Sequence, residues 1–328
     1  MIERGSVIAG WGTALPALAV SNHDIESLIA TSDEWIVERS GIRSRRVAAG
    51  PFVSPPPPAH PPGGVGTTAA LAIEAGRHAL KSAGTTAQEI SLLILCTSSP
   101  DQAMPATSSA VAHRLGIGGG AMDLNAACAG FAYGLITAAA LVSSGVGNVL
   151  LIGAETMTRV TDWEDRSSAF LFGDGAGAVV LQAVPGPGAL LGYDLGVDGS
   201  LVELLYADHG SGMAMRGREI FRQAVRATTD SANASLRRAA VEAREIALFV
   251  PHQANRRIMD AVAERLAIPS ERIASVVECT GNTSAASIPL ALAAAVDNGR
   301  LKPGDLVLVA GFGAGMTWAS AVWRWGDT

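Results

Sequence analysis

Cysteine is scarce in this chain: Cys96, Cys128 and Cys279 are the only three among 328 residues. They are too few and too scattered for a disulfide framework or a zinc site, and they point to a reducing compartment, the cytosol. Charge is thin as well, with 16% Asp, Glu, Lys and Arg, and aromatics supply only 5%. At 48% hydrophobic residues the chain is not disordered, and its 37 glycines suit closely packed elements with little solvated periphery. Positive charge does not prevail. The 24 Lys and Arg against 30 Asp and Glu leave a net charge of −6, which argues against a protein built mainly to coat nucleic acid. A membrane span is missing too, since the uncharged stretch 124–154 is broken by Asn125, Ser143, Ser144, Asn148 and several glycines. It reads as a buried helix, a turn and a buried strand at 149–152. The first ten residues lack the sustained apolar core of a secretion signal and read as a strand.

What is present is an internal repeat. One segment runs helix 70–83, strand 91–96, helix ending at Ile117, strand 121–124, apolar helix from Cys128 and strand 149–152. A second runs helix 235–243, strand 246–250, helix ending at Ile268, strand near 273–277, apolar helix from Ser284 and strand 306–310. Alternating short apolar strands and helices predict an α/β fold with parallel sheets covered on both faces. A duplication predicts two such halves packed together, divided here as 1–183 and 184–328. The proline-rich stretch 54–64 interrupts the pattern and reads as an exposed polyproline loop, either a surface insertion or a ligand for a proline-binding domain.

Ligands in such folds collect where strands end, and three loops there carry chemistry. Cys128 precedes a helix, where unpaired N–H groups and the dipole favour a thiolate; the competing reading is a small core cysteine. His252 and Asn255 project from one loop after a strand. Asn282, in Gly281-Asn282-Thr283-Ser284, is either a helix cap or a functional amide. The repeat brings Cys128, His252 and Asn282 toward a common interface. Cys96 and Cys279 lack such partners and read as packing residues. The run 310–315 offers backbone N–H groups to an oxyanion, whereas Gly173-Asp174-Gly175-Ala176-Gly177 reads as a tight turn before a strand at 178–181.

These residues resemble the β-ketoacyl-acyl carrier protein synthase III family of the thiolase-like superfamily, over nearly the whole chain. The likeness is carried by residues 31–43 (Thr-Ser-Asp-Glu-Trp-Ile-Val-Glu-Arg-Ser-Gly-Ile-Arg), Ala127-Cys128-Ala129-Gly130-Phe131, Pro251-His252-Gln253-Ala254-Asn255 and Gly281-Asn282-Thr283-Ser284-Ala285-Ala286-Ser287. The resemblance implies a thiolase-like fold layered α-β-α-β-α and a homodimer. It implies that Cys128 accepts the acyl group of an acyl-coenzyme A primer, and that His252 and Asn282 support decarboxylation of a carrier-bound malonyl group, without a cofactor or metal. It further implies an oxyanion site at the N–H groups of Cys128 and Ala314. Trp35 and Arg166 would sandwich adenine, Thr31 and Arg39 would meet polar parts of coenzyme A, and Asn255 and Gly217 would line its tunnel.

By the same resemblance Arg222 and Arg257, with Arg256 beside them, dock an acidic carrier protein; Arg216, Arg218 and Arg226 belong to the same basic stretch. Two departures bear on the substrate. Met104 stands where the family often has an aromatic residue reaching across the dimer, which predicts room for primers bulkier than acetyl. Segment 206–213 is shorter than usual, which keeps open a specialised relative that passes the acyl group to an amine or alcohol.

Overall fold

The structure, a computed structural model, describes residues 4–54, 63–208 and 211–326. Its main elements are β1 (Arg4–Ala14), α1 (Asp33–Ser40), α2 (Thr68–Ala83), β2 (Ile90–Cys96), α3 (Thr107–Leu115), β3 (Gly120–Leu124), α4 (Gly130–Ser143), β4 (Asn148–Thr156) and β5 (Asp174–Pro185). They continue with β6 (Leu190–Val197), α5 (Gly217–Ala239), β7 (Ile246–Pro251), α6 (Arg256–Arg265), α7 (Ser287–Asp297), β8 (Leu306–Gly313) and β9 (Thr317–Arg324). Local chemistry sets the boundaries. Asp101 takes the first two N–H groups of α2, from Thr68 and Ala69 at 2.9 and 3.0 Å, and left-handed Gly84 (φ 62°) ends that helix.

Among the described residues two large sheets form, one in the order β1-β5-β4-β2-β3 and the other in the order β7-β8-β9-β6, beside two small two-stranded ones. In the first, β4, β2 and β3 are parallel; in the second, β7 and β8 are. Alternation along the strands divides the core. Leu93, Leu95, Leu150 and Ile152 face α2 and α3, while Ile94, Cys96, Val149 and Leu151 face the interior between the sheets. That interior holds α4 and α7, whose apolar residues extend around the helix because both sides are covered. On the far face of the second sheet, Phe249, Leu308, Ala310 and Val322 meet α5 and α6. The layering is α-β-α-β-α, as expected. Among the described residues no helix is long and apolar enough to cross a membrane.

Four local expectations change. The strand near 273–277 is absent: only Ile273 bridges to Phe249, and Val277–Thr280 is a helical turn. Its backbone groups are met by side chains instead, with Arg300 donating to the Ile273 carbonyl and Gln253 accepting the Val276 N–H. Residues 174–177 are not a turn but the start of β5, with no side chain at Gly177 because a Cβ would lie 2.7 Å from Pro289 of α7. Of the helix expected at 235–243, only 235–239 is helical, as the end of the longer α5, which left-handed Ala240 closes. Cys279 is exposed rather than packed. The polyproline reading of 55–62 lies outside the described residues.

Candidate active site

A cavity of about 940 Å³ runs inward from exposed Arg166, Arg222 and Arg257 to Cys128, His252 and Asn282. The last three side chains are almost wholly buried, at 8%, 7% and 7% exposure. Cys128 sits in the single turn Ala127–Ala129 that opens onto α4. Burial pushes its thiol up to about 12, against a smaller opposing effect of the Ser284 hydroxyl. Burial therefore opposes the thiolate that the start of α4 favours.

His252 follows β7, its N–H held by the Ala310 carbonyl at 2.8 Å and its Nδ1 2.7 Å from the Ser287 hydroxyl. Burial lowers its pKa to about 3, so the imidazole is neutral and one ring nitrogen carries a proton. Asn282 is fixed through its backbone, donating to the Leu171 carbonyl at 2.8 Å and accepting from Gly173 at 3.1 Å. Its Oδ1 accepts the Ser284 N–H at 2.9 Å. Asn282 is not the expected helix cap, since Thr283 and Ala286 hold the cap positions of the two helical segments that follow; its amide oxygen makes a local turn and its side chain lines the cavity.

The repeat is visible atom by atom here. Asn125 accepts the Ala127 N–H at 3.0 Å just as Asn282 accepts that of Ser284, and Ala127 and Ser284 share a left-handed φ of 47°. By strand register β2 corresponds to β7 and β4 to β8, each parallel pair with a register shift at the same step. Cys128 then matches Ala285, Cys96 matches His252, and Glu155 matches Gly313. The last pair sets what faces each N–H. Glu155, fully buried, accepts from Thr97, Ser98, Ser99 and, at 3.4 Å, from the N–H of Ala285. In the other half Gly313 presents no side chain, and a Cβ there would lie 2.6 Å from the Cys128 nitrogen. No carboxylate faces the Cys128 N–H from this strand, whereas Glu155 accepts that of its counterpart Ala285.

The remaining expected residues fall into groups. Trp35, Arg39, Asn255, Gly217, Arg222, Arg257 and Ala314 line the cavity. At Gly217 a Cβ would meet nothing within 4 Å, so its surroundings are open. Asn255 also caps α6 through the Ile258 N–H at 3.0 Å. The Arg166 guanidinium lies 4.7 Å from the centre of the Trp35 ring and that of Arg39 at 4.8 Å. Trp35 and Arg166 are thus in direct contact with each other in this structure. Thr31 does not line the cavity, and its hydroxyl is buried without a partner. Met104 is 80% exposed and is not part of the cavity wall formed by this chain. Arg256 pairs with Asp260 at 2.7 Å and Glu278 at 3.1 Å, so its charge is engaged within the chain. Sequence reasoning missed Ser98 and Glu155, quoted Ser284 and Ser287 without giving them a role, and took Gly313 only as part of the run 310–315. The signal was in the repeat, where Asn125-Ala126-Ala127-Cys128 aligns with Asn282-Thr283-Ser284-Ala285.

Comparison with known proteins identifies the family. A family model described as 3-oxoacyl-[acyl-carrier-protein (ACP)] synthase III matches residues 122–199, and one for its C terminal matches residues 236–325. A β-ketoacyl-[acyl-carrier-protein] synthase III of Novosphingobium aromaticivorans is 46% identical, covering 97% of this chain and 98% of the relative. The solved 3-oxoacyl-[acyl-carrier-protein] synthase III of Aquifex aeolicus superposes with a TM-score of 0.90 at 40% identity, covering 98% of this chain and 100% of that one. The priming β-ketosynthase of a polyketide biosynthetic pathway superposes with a TM-score of 0.89 at 37% identity, covering 99% and 97%. The chain belongs to the β-ketoacyl-[acyl-carrier-protein] synthase III family, condensing enzymes of thiolase-like fold that transfer acyl groups.

Proposed function

We propose that this enzyme loads an acyl-coenzyme A primer on Cys128 and condenses it with malonyl-acyl carrier protein, initiating fatty-acid or polyketide synthesis. In the first half-reaction the Cys128 sulfur forms a thioester with the acyl carbon, and its proton leaves with the coenzyme A thiol. The Cys128 N–H, beside Gly313, supports the tetrahedral oxyanion together with the Ala314 N–H. In the second, the malonyl thioester loses carbon dioxide and its carbonyl becomes an enolate. Two neutral donors, the His252 imidazole and the Asn282 amide, suit that charge. The carbanion attacks the acyl carbonyl, the bond to Cys128 breaks, and the sulfur regains a proton. Decarboxylation itself supplies the carbanion, so the chemistry calls for no cofactor.

The observation that carries this reading is the convergence of a buried thiol, a neutral histidine and an asparagine amide on one cavity. Exposed Arg218, Arg222 and Arg257 beside it support docking of an acidic carrier; engaged Arg256 contributes less. A homodimer is proposed on the unpaired outer edge of β3 and exposed Met104. Flexible Met104 at that position supports primers larger than acetyl. The test is intact-protein mass spectrometry with a panel of acyl-coenzyme A thioesters, then malonyl-carrier protein. An acyl adduct on Cys128 that disappears into a β-ketoacyl-carrier product supports the condensing enzyme and names the primer class. An adduct that persists with malonyl-carrier but leaves with an amine or alcohol contradicts it, and strict acetyl preference contradicts the reading of Met104.

A further inference from the structure

A neutral imidazole donates from only one of its nitrogens, so the chemistry at His252 depends on which one holds the proton. The backbone of its loop leaves little freedom. The His252 N–H is bound to Ala310, and the Gln253 amide donates to the Pro251 and Ala274 carbonyls at 2.6 and 3.2 Å while accepting the Val276 N–H at 3.1 Å. What remains is the contact between Nδ1 and Ser287 Oγ at 2.7 Å, in a serine with no exposure.

Counting protons around Ser287 Oγ orients this contact. The Gln253 backbone N–H, 3.3 Å away, can only donate and takes one lone pair of the hydroxyl. The hydroxyl proton needs an acceptor, because a buried O–H without one is costly. Among the described residues the only other hydrogen-bond partner of that oxygen is His252 Nδ1. We propose that Ser287 is a positioning residue whose hydroxyl donates to His252 Nδ1, fixes the proton on Nε2 and so makes His252 a donor toward the cavity. The opposite tautomer would turn a lone pair toward the developing enolate oxygen. This inference rests on the condensing reading for its consequence, but the position of the proton is measurable without substrate.

The experiment is ¹⁵N NMR of histidine-labelled enzyme at neutral pH, which separates protonated from unprotonated ring nitrogens; His252→Gln assigns the signal among the six histidines. The expected spectrum has Nε2 protonated and Nδ1 bare. A protonated Nδ1 overturns the proposal. In Ser287→Ala the two tautomers should mix, and kcat for malonyl-carrier decarboxylation should fall roughly 10- to 100-fold, part of what a lost oxyanion donor costs. KM for malonyl-carrier and the rate of Cys128 acylation should stay within about twofold, since the hydroxyl touches neither step. An unchanged tautomer in Ser287→Ala, or an equal loss in both half-reactions, also overturns it. Should that variant not fold, Ser287→Gly makes the same test, and the wild-type spectrum stands alone. Failure of the wild-type enzyme to form any acyl adduct would instead strike the condensing reading and leave the tautomer result intact.

Discussion

The turn before α4 and the turn before α7 share a backbone: an asparagine side chain holding the N–H two residues on, a left-handed residue, one helical turn and a buried apolar helix. They differ in the residue after the left-handed one and in what surrounds it. Beside α4 that residue is Cys128, and the facing strand offers Gly313; beside α7 it is Ala285, and the facing strand offers Glu155. Duplication built two candidate anion sites, and a carboxylate covers the second. Function arises where the repeat is broken, with a nucleophile and an N–H beside a glycine in one half and two polar donors in the other.

Making the halves alike should break this arrangement. Cys128→Ala, which gives both turns an alanine, should abolish the acyl adduct in intact-mass measurements. Gly313→Ala places a methyl against the Cys128 nitrogen and should slow single-turnover acylation by roughly 10²–10³-fold, as loss of an oxyanion donor does, with substrate binding nearly unchanged. Glu155→Gln removes a buried charge that accepts bonds from three successive residues, 97–99, and should lower unfolding free energy in urea by about 3 kcal/mol.

Neutral His252 has a signature in stability against pH. Its folded pKa, about 3, lies below the usual histidine value of 6.5, so the unfolded chain binds the proton first as pH falls. Wild type should lose ~1.4 kcal/mol per pH unit below 6.5 relative to His252→Gln, and the decarboxylation rate should show no histidine limb between pH 6 and 8. The smallest effect is at the surface. Arg222→Ala and Arg257→Ala should each slow carrier association several-fold at low salt and little at high salt, while Arg256→Ala should change it less than about twofold.

Much of this was legible in the sequence because it is local or periodic. Alternating strands and helices and the repeat gave two packed halves, the resemblance gave the layers, and Ala127-Cys128-Ala129-Gly130, Pro251-His252 and Gly281-Asn282 gave the three side chains that meet in the cavity. What stayed hidden depends on groups far apart in the chain. By the repeat, 273–277 reads as a strand until Gln253 and Arg300 are seen to satisfy its backbone. A helix start favours a thiolate, and the burial of Cys128 that opposes it shows only in the fold. Glu155 and Gly313 look unrelated until strand register pairs them across the repeat.

The division of labour between the two turns is tested most directly by carbon dioxide release from malonyl-carrier protein, measured with Cys128→Ala and Asn282→Ala side by side. The account predicts that Cys128→Ala, unable to hold an acyl group, still decarboxylates, whereas Asn282→Ala accepts the acyl group yet releases carbon dioxide at a small fraction of the wild-type rate. Equal loss of decarboxylation in both variants would contradict it.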